Sequence, residues 1–188
     1  MKFEPSSILF PNLGDPEELK LVVFSDASHA NLADGYSSAG GYVIFLVGSN
    51  GNSSPLAWEA KKIRRVVKST LASETLPMVE AVDMAYYLGC ILTEILFNNC
   101  KSNNIPIECV VDNKSLFENI HSTKNVGEKR LRIDLAALKE MIEKKEISRV
   151  KWVNTSHQLS DCFTKGTVCT KMLMNIIETG KLDIYYQT

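Results

Sequence analysis

The sequence lacks any long apolar run, and this excludes several protein classes. No stretch approaches the roughly 18 uncharged apolar residues of a membrane-spanning helix. The N-terminal region contains Pro5, Pro11 and Pro16 and has no apolar centre of the kind found in signal peptides. Residues 1–18 are therefore predicted to form an N-terminal arm or linker.

The sequence lacks paired cysteine motifs, and its cysteine pattern is typical of a protein in a reducing compartment. The five cysteines are odd in number, and no two of them have the C-x-x-C spacing. Neither a disulfide framework nor a zinc site is indicated, so we expect an intracellular, cytoplasmic location, with a virus-like particle or the nucleus as alternatives. Cys90 and Cys109 lie in apolar runs and are predicted to be small core residues.

Two further absences limit the possible functions. The chain has neither a glycine-rich phosphate loop nor a nucleophile motif, which disfavours a small-molecule α/β enzyme. Its formal net charge is only −1 over 188 residues, so it lacks the overall basic character of many nucleic-acid-binding proteins. Any contact with nucleic acid must therefore come from a local cluster of cations.

The sequence does contain a regular succession of strand and helix patterns. Short apolar segments rich in branched and aromatic residues predict five strands, over residues 19–28, 37–49, 55–63, 105–113 and 147–155. Helical spacing predicts helices over residues 69–96, 114–121, 127–145, 158–165 and 168–179. A tight turn at residues 50–54 indicates an antiparallel start, whereas strands joined through helices must run parallel. The predicted fold class is α/β, with a mixed five-stranded sheet flanked by helices over residues 19–182 and a C-terminal tail at residues 183–188.

The first helix contains a proline that leaves its start open. Ser69 or Thr70 is a plausible N-cap. Pro77 is either a first-turn proline or the site of a kink. We expect the helix to begin between Leu71 and Glu74 and to be distorted at its first turn.

Acidic residues follow the apolar part of two predicted strands, at Asp26 in FSDAS and Asp112 in VVDNKS. The carboxyl ends of neighbouring parallel strands gather ligands, and a buried carboxylate is costly unless something satisfies its charge. Glu74 and Asp161, each near the start of a predicted helix, can join this site. Four oxygen donors without a cluster of histidine or cysteine suit magnesium or manganese, and paired ions of this kind serve phosphoryl displacement.

Two other glutamates are candidates for the metal-binding role assigned to Glu74. Glu59 and Glu80 lie nearby in the sequence and can take the same role. Spacing favours Glu74, because Glu80 lies nearly two helical turns further along. Asp161 has the alternative role of an N-terminal helix acid that the helix dipole favours.

Four blocks, in chain order, resemble the ribonuclease H domain of copia-type retrotransposon polyproteins. They read SDAS, KSTLASETLPMVEA, VDNKSLFENIHSTK and WVNTSHQLSDCFTK. The resemblance covers the chain from about Leu19 to Leu182. It implies the ribonuclease H-like fold, with the first three strands antiparallel, and two Mg2+ ions, or Mn2+, held by Asp26, Glu74, Asp112 and Asp161.

The same resemblance implies a substrate and a partner. The implied substrate is an RNA–DNA hybrid duplex; one metal would activate a water and the other would stabilise the departing 3′-oxygen of the RNA strand. The partner is the reverse transcriptase domain of the same polyprotein. No small-molecule cofactor and no membrane contact are expected.

The histidines near these acids have open roles. Cellular and retroviral ribonucleases H carry a histidine in a mobile loop before the last aspartate. His157 lies only four residues before Asp161, and it either assists proton transfer near the scissile phosphate or faces solvent at a helix start. His29 is interpreted as an ordinary loop residue.

Cations cluster just before the helix that carries Glu74, at Lys61, Lys62, Arg64, Arg65 and Lys68. Together with Trp58 they are interpreted as a ridge that contacts the nucleic-acid backbone, rather than as a solvated charge run. Ser69, Thr70 and Asn113 are predicted to bind phosphate or 2′-hydroxyl groups. A second basic cluster comprises Lys124, Lys129, Arg130 and Arg132. We expect recognition of duplex shape with little base readout.

A non-catalytic module is the second functional hypothesis. The same fold serves integrases, resolvases and exonucleases, so fold alone does not decide the substrate. A decayed element or a structural appendage of a reverse transcriptase would be expected to lose an acid of the quartet, and none is lost. The nearly neutral charge is a point in favour of this alternative.

Overall fold

The structure, a computed structural model, describes residues 7–99, 102–123, 126–165 and 170–182. Its strands are β1 (Lys20–Ser28), β2 (Ala39–Val47), β3 (Ser53–Lys62), β4 (Ile107–Val111) and β5 (Ile147–Trp152). Its α-helices are α1 (Thr70–Phe97), α2 (Lys114–His121), α3 (Lys129–Glu143), α4 (Asp161–Thr164) and α5 (Lys171–Thr179). Single-turn 3-10 helices lie at Pro16–Glu18 and Thr155–His157. Lys124 of the second basic cluster, the start of the predicted last helix and the predicted tail at residues 183–188 lie outside the described residues.

The five strands form one mixed sheet in the order β3-β2-β1-β4-β5. β2 pairs antiparallel with both β1 and β3, whereas β4 runs parallel to β1 and to β5. This arrangement confirms the predicted sheet and its antiparallel first three strands. The parallel pairing of β1 and β4 ends at Phe24 opposite Val110. Asp26 and Asp112 each follow two residues later, on neighbouring chains whose usual separation is about 4.8 Å.

Apolar side chains cover both faces of the sheet, because successive residues of a strand point to opposite sides. Leu21 and Val23 of β1 belong to a core that includes residues of α1, α2 and α3. Val22 and Phe24 belong to a second core on the other face, which includes residues of α5. The sheet is therefore the middle of three layers, which explains why β1 is buried along nearly its whole length.

Several element boundaries differ by a few residues from the sequence-based expectation; β5, for example, ends at Trp152 and not at residue 155, and α4 begins at Asp161 and not at residue 158. β1 continues past Asp26 to Ser28, within the predicted range, because its pairing with β2 extends past its pairing with β4. Helix α1 begins at Thr70 rather than between Leu71 and Glu74, since the Ser69 side chain caps the amide of Ala72. Pro77 is consequently the eighth helical residue and not part of the first turn.

Residues of the predicted N-terminal arm contact the domain. The amide of Leu9 donates to the carbonyl of Ile177 on α5, at 3.0 Å. The carbonyl of Asn12 accepts from the side chain of Asn52 in the β2–β3 turn, at 2.6 Å. Leu13 packs against the core between the sheet and α1. Within the described part of the chain, no helix combines the length and apolar character needed to cross a bilayer.

Candidate active site

Three of the four predicted acids come together at one edge of the sheet. Asp26, Glu74 and Asp112 each provide a carboxylate oxygen, and these three oxygens lie within 4.8 Å of one another. Asp26 comes from β1, Asp112 follows β4, and Glu74 comes from α1. Three elements that are far apart in the sequence therefore place their carboxylate oxygens close together.

Glu74 reaches this group because the first turns of α1 lie close to β1 and β2. Its carboxylate accepts a hydrogen bond of 3.1 Å from the amide of Ala27, next to Asp26. The Cβ position of Gly40 on β2 lies 3.2 Å from Pro77, so the absence of a side chain there permits the close approach of the helix. The structure therefore brings Glu74 to Asp26.

The two competing glutamates lie elsewhere. Glu59 and Glu80 both contact the ammonium of Lys61, at 2.9 Å and 3.0 Å. Their side chains are exposed to solvent, whereas Glu74 is buried. Neither belongs to the acidic group.

Asp112 is held by its backbone. The indole nitrogen of Trp152 at the end of β5 donates to the Asp112 carbonyl, at 2.8 Å. The next residue, Asn113, accepts from the amide of Leu116 and caps α2. Asp112 is therefore fixed between the end of β4 and the start of a helix.

Asp161 is the first residue of α4 and stands apart from the group of three. Its carboxylate contacts the ammonium of Lys165, at 2.7 Å, and the same ammonium lies 3.5 Å from Asp26. The hydroxyl of Thr164 donates to Asp26 as well. The Lys165 ammonium therefore links the carboxylates of Asp161 and Asp26.

Gln158 joins the loop before α4 to β1. Its side-chain amide donates to the carbonyl of Ser25, at 3.0 Å. Its side-chain oxygen accepts from the hydroxyl of Ser160, at 2.9 Å. Because Ser25 precedes Asp26, these bonds fix the start of α4 beside the acidic group.

The electrostatics of the group favour a bound cation. Burial, with the charges of Asp161 and Asp112, outweighs the contacts from Thr164 and Lys165 and raises the pKa of Asp26 to about 7. Burial and the charges of Asp26 and Asp112 raise the pKa of Glu74 to about 9. Asp26 Oδ1 is buried and has no hydrogen-bond partner among the described residues. An all-oxygen donor set with an unsatisfied buried oxygen fits magnesium or manganese.

His157 and His29, the two histidines near the acids in the sequence, have different surroundings. His157 ends a single 3-10 turn, and its Nδ1 lies 3.1 Å from the hydroxyl of Ser156. His29 immediately follows β1, and its Nδ1 is buried without a hydrogen-bond partner among the described residues. The role of His157 stays a prediction.

The basic ridge lies at the same edge of the sheet as the acids. Strand register places Ala27, Gly40 and Lys61 side by side across β1, β2 and β3. Lys61 is therefore two strand spacings, about 10 Å, from the backbone next to Asp26. A cleft between the end of β3 and α1 is lined by Gly40, Glu59, Lys61, Lys62, Ile63, Arg64, Arg65, Leu76, Pro77 and Glu80.

Not all cations of the ridge are equally available. Lys62 pairs with Asp34 at 2.9 Å, and Arg65 pairs with Asp134. Ser69 and Thr70, beside the ridge, form the start of α1, where the Ser69 hydroxyl accepts from the Ala72 amide. The ridge is thus more neutralised than its sequence indicates, and the predicted contacts of these residues with nucleic acid stay predictions.

Comparisons with known proteins agree with this fold. No protein-family profile matches the chain. Over 147 residues it is 24% identical to the retrovirus-related Pol polyproteins from transposons RE2 and RE1 of Arabidopsis thaliana, a match that covers 78% of this chain. The chain spans only 10% and 9% of the length of these relatives.

Solved structures with the same fold include ribonuclease H1 from the archaeon Halobacterium salinarum. It superposes with a TM-score of 0.53 at 14% identity, covering 77% of this chain and 94% of that one. LC11-RNase H1 from compost, in complex with an RNA/DNA hybrid, gives a TM-score of 0.52 at 13% identity and covers 82% and 99%. The foamy viral protease-reverse transcriptase gives 0.50 at 11% identity, covering 96% of this chain and 22% of that one.

The chain has a ribonuclease H fold and is homologous to retrotransposon Pol polyproteins. Within this fold, sequence reasoning missed the roles of Gly41, Gln158, Thr164 and Lys165. Three of the four lie in the block QLSDCFTK, and Lys165 is four residues after Asp161, a spacing that pairs charges on a helix. That spacing was the available signal for Lys165, whereas nothing local indicated the contacts of the other three.

Gly41 is expected to be essential for the position of α4 on the ribonuclease H sheet. A Cβ at this position would lie 2.6 Å from the Cβ of Phe163. Gly41→Ala should destabilise the protein by roughly 1–3 kcal/mol and move Thr164 away from Asp26. Thermal unfolding measures the loss. Gly127→Ala is the matched control, because a Cβ there meets nothing within 4 Å; equal unfolding temperatures for both variants would contradict the expectation.

Proposed function

We propose that this chain is a ribonuclease H that cleaves the RNA strand of RNA–DNA hybrids endonucleolytically, with two divalent metal ions. The observation that carries the proposal is the group of carboxylate oxygens of Asp26, Glu74 and Asp112, within 4.8 Å of one another at one edge of a ribonuclease H sheet. Raised pKa values at Asp26 and Glu74 support a role beyond packing, because such shifts gather at functional sites.

The metal-binding residues in this proposal are Asp26, Glu74, Asp112 and Asp161. Magnesium, with manganese as the alternative, would supply charge that polarises an attacking water and neutralises the leaving oxygen. The chain itself contributes position: Ala27 orients Glu74, Trp152 orients Asp112, and Gln158 orients the loop before Asp161. His157 is proposed to assist proton transfer near the scissile phosphate.

The proposed substrate is supported by the ridge and by the solved complexes. LC11-RNase H1 was solved with an RNA/DNA hybrid, and so was the foamy viral protease-reverse transcriptase. The duplex backbone would contact the ridge and its neighbours, which are Lys61, Lys62, Arg64, Arg65, Lys68, Ser69, Thr70 and Asn113. Recognition by backbone contacts predicts little dependence on base sequence.

The proposed partner is a reverse transcriptase domain of the same polyprotein. The relatives are Pol polyproteins, and this chain spans about a tenth of their length. We assign the chain to the copia type on its four sequence blocks. The proposed location is intracellular, in the cytoplasm, with a virus-like particle or the nucleus as alternatives.

Cleavage of an end-labelled RNA–DNA hybrid tests the proposal directly. The chain is incubated with magnesium or manganese and with hybrid, single-stranded RNA or duplex DNA. We expect metal-dependent cutting of the RNA strand of the hybrid alone, and a drop of about 1,000-fold or more for Asp112→Asn. Asp83→Asn, an exposed aspartate on α1, is the matched control and should keep the activity.

One result would favour the non-catalytic module instead. In that result, the folded chain binds the hybrid tightly but leaves the RNA intact with either metal. Hybrid binding that is equal for native protein and Asp112→Asn, with no cutting by either, would contradict the proposed activity of this chain.

A further inference from the structure

Lys165 lies inside the acidic site. Its ammonium is 2.7 Å from Asp161 Oδ1 and 3.5 Å from Asp26 Oδ2. Both carboxylates are almost inaccessible, at 5% and 1% side-chain exposure. A positive group of the chain therefore bridges two of the acids assigned to metal binding.

The four acids divide into two unequal parts. Asp26, Glu74 and Asp112 bring oxygens within 4.8 Å of one another, whereas Asp161 is not in this group. Asp26 Oδ2 contacts Lys165 and Thr164, but Asp26 Oδ1 has no hydrogen-bond partner among the described residues. An ion bound by Asp26, Glu74 and Asp112 can therefore coexist with Lys165. An ion bridging Asp26 and Asp161 cannot, because the ammonium is already there.

We propose that Lys165 is a built-in counter-ion that blocks a second divalent-cation position between Asp26 and Asp161 until it is displaced. This rests on the proposed function, because that function assigns both aspartates to metal binding. In the absence of nucleic acid, the chain then binds one divalent ion tightly and a second one weakly. Lys165 sets the difference between the two affinities.

The surroundings of Lys165 allow both states. The contacts with Asp161 Oδ1 and Asp26 Oδ2 hold the ammonium in the site. Its side chain is nevertheless 32% exposed. A long flexible stem lets the ammonium move into water without unfolding of α4, since lysine is strongly hydrated.

A purely structural role must be distinguished from this one. Asp161 and Lys165 have the i,i+4 spacing of a helical ion pair, and such a pair stabilises a helix whether or not metals bind. The distinguishing quantity is the affinity of the second metal, which a structural pair does not set. Manganese binding without nucleic acid therefore tests the inference independently of activity.

The experiment measures Mn2+ binding by titration calorimetry for the native chain and for Lys165→Met. Without the ammonium, we expect the second affinity to rise by about tenfold or more, because a unit charge a few ångströms away is removed. Lys165→Arg keeps the charge and should retain a weak second site. Lys171→Met, on the exposed side of α5, changes the net charge equally and should behave like the native chain.

The possible outcomes separate the inference about Lys165 from the proposed function. An unchanged second affinity in Lys165→Met overturns the inference and leaves the proposed function intact. No Mn2+ binding by the native chain or by Lys165→Met contradicts the metal site and hence the proposed function. Thermal unfolding in chelator verifies each fold, and Lys165→Gln serves as a second neutral variant that must show the same rise as Lys165→Met.

Discussion

Glu74→Gln is expected to abolish hybrid cleavage, with a loss of about 1,000-fold or more in the rate at saturating substrate. The glutamine keeps the size of the side chain and an oxygen that accepts from the Ala27 amide, but it removes one of the three clustered carboxylate charges. Because Glu74 is buried with a raised pKa, the amide should leave the metal-free protein at least as stable at pH 8. Cleavage assays and thermal unfolding of the same preparation separate the two effects.

Glu80→Gln on the same helix is the matched control for this prediction. Its carboxylate is exposed and contacts Lys61, 3.0 Å away, rather than the acidic group. The saturated cleavage rate should change by less than about threefold, as for most surface substitutions. Equal losses in both variants, or a loss in Glu80→Gln alone, would show that α1 contributes a different acid from the one that the structure indicates.

The metal-free protein is expected to lose stability as the pH rises from about 5 to 9. Asp26 and Glu74 have pKa values of about 7 and about 9 in the folded chain, above the 3.8 and 4.5 of the unfolded one. Across that window the folded state binds more protons than the unfolded state, so raising the pH favours unfolding. In chelator, the unfolding temperature should fall by about 5 °C or more between these pH values.

Magnesium should reverse this dependence, because a cation bound by the deprotonated acids stabilises only the folded state. The double variant Asp26→Asn with Glu74→Gln isolates the cause, since it removes both titrating groups and should flatten the profile in chelator. If the double variant loses stability with pH as steeply as the native chain, other groups are responsible and the assignment is wrong. Calorimetric unfolding at several pH values, with and without magnesium, decides the matter.

Much of the architecture could be predicted because it depends on local patterns. The five strands and the long helix follow from apolar periodicity, and the helix pattern between strands dictated which strands run parallel. The errors lay at boundaries. β5 ends at Trp152 because its pairing with β4 ends opposite Val111, and α1 starts at Thr70 because Ser69 caps it. Both depend on partners that periodicity does not specify.

The acidic site, like the fold, could be predicted in part. Asp26 and Asp112 could be paired in advance, since each follows an apolar strand and parallel neighbours end at one edge. Glu74 was chosen over Glu80 by spacing, and the structure brings it to Asp26 through Ala27. The contact of Lys165 with Asp26 was not foreseen, because their separation in the sequence carries no periodic signal.

By itself, the sequence determined the order of the strands and the mixed sheet, and it singled out the three acids that the structure brings together; the role of Asp161 stays a prediction. Tertiary structure decided that Lys165 lies between Asp26 and Asp161, that Gly41 admits α4, and that burial raises two pKa values. The physical reason is the separation along the sequence of the residues that interact. Periodicity and strand ends are local properties of the chain, whereas the Thr164 hydroxyl reaches Asp26 across 138 residues only after α4 has docked on the sheet.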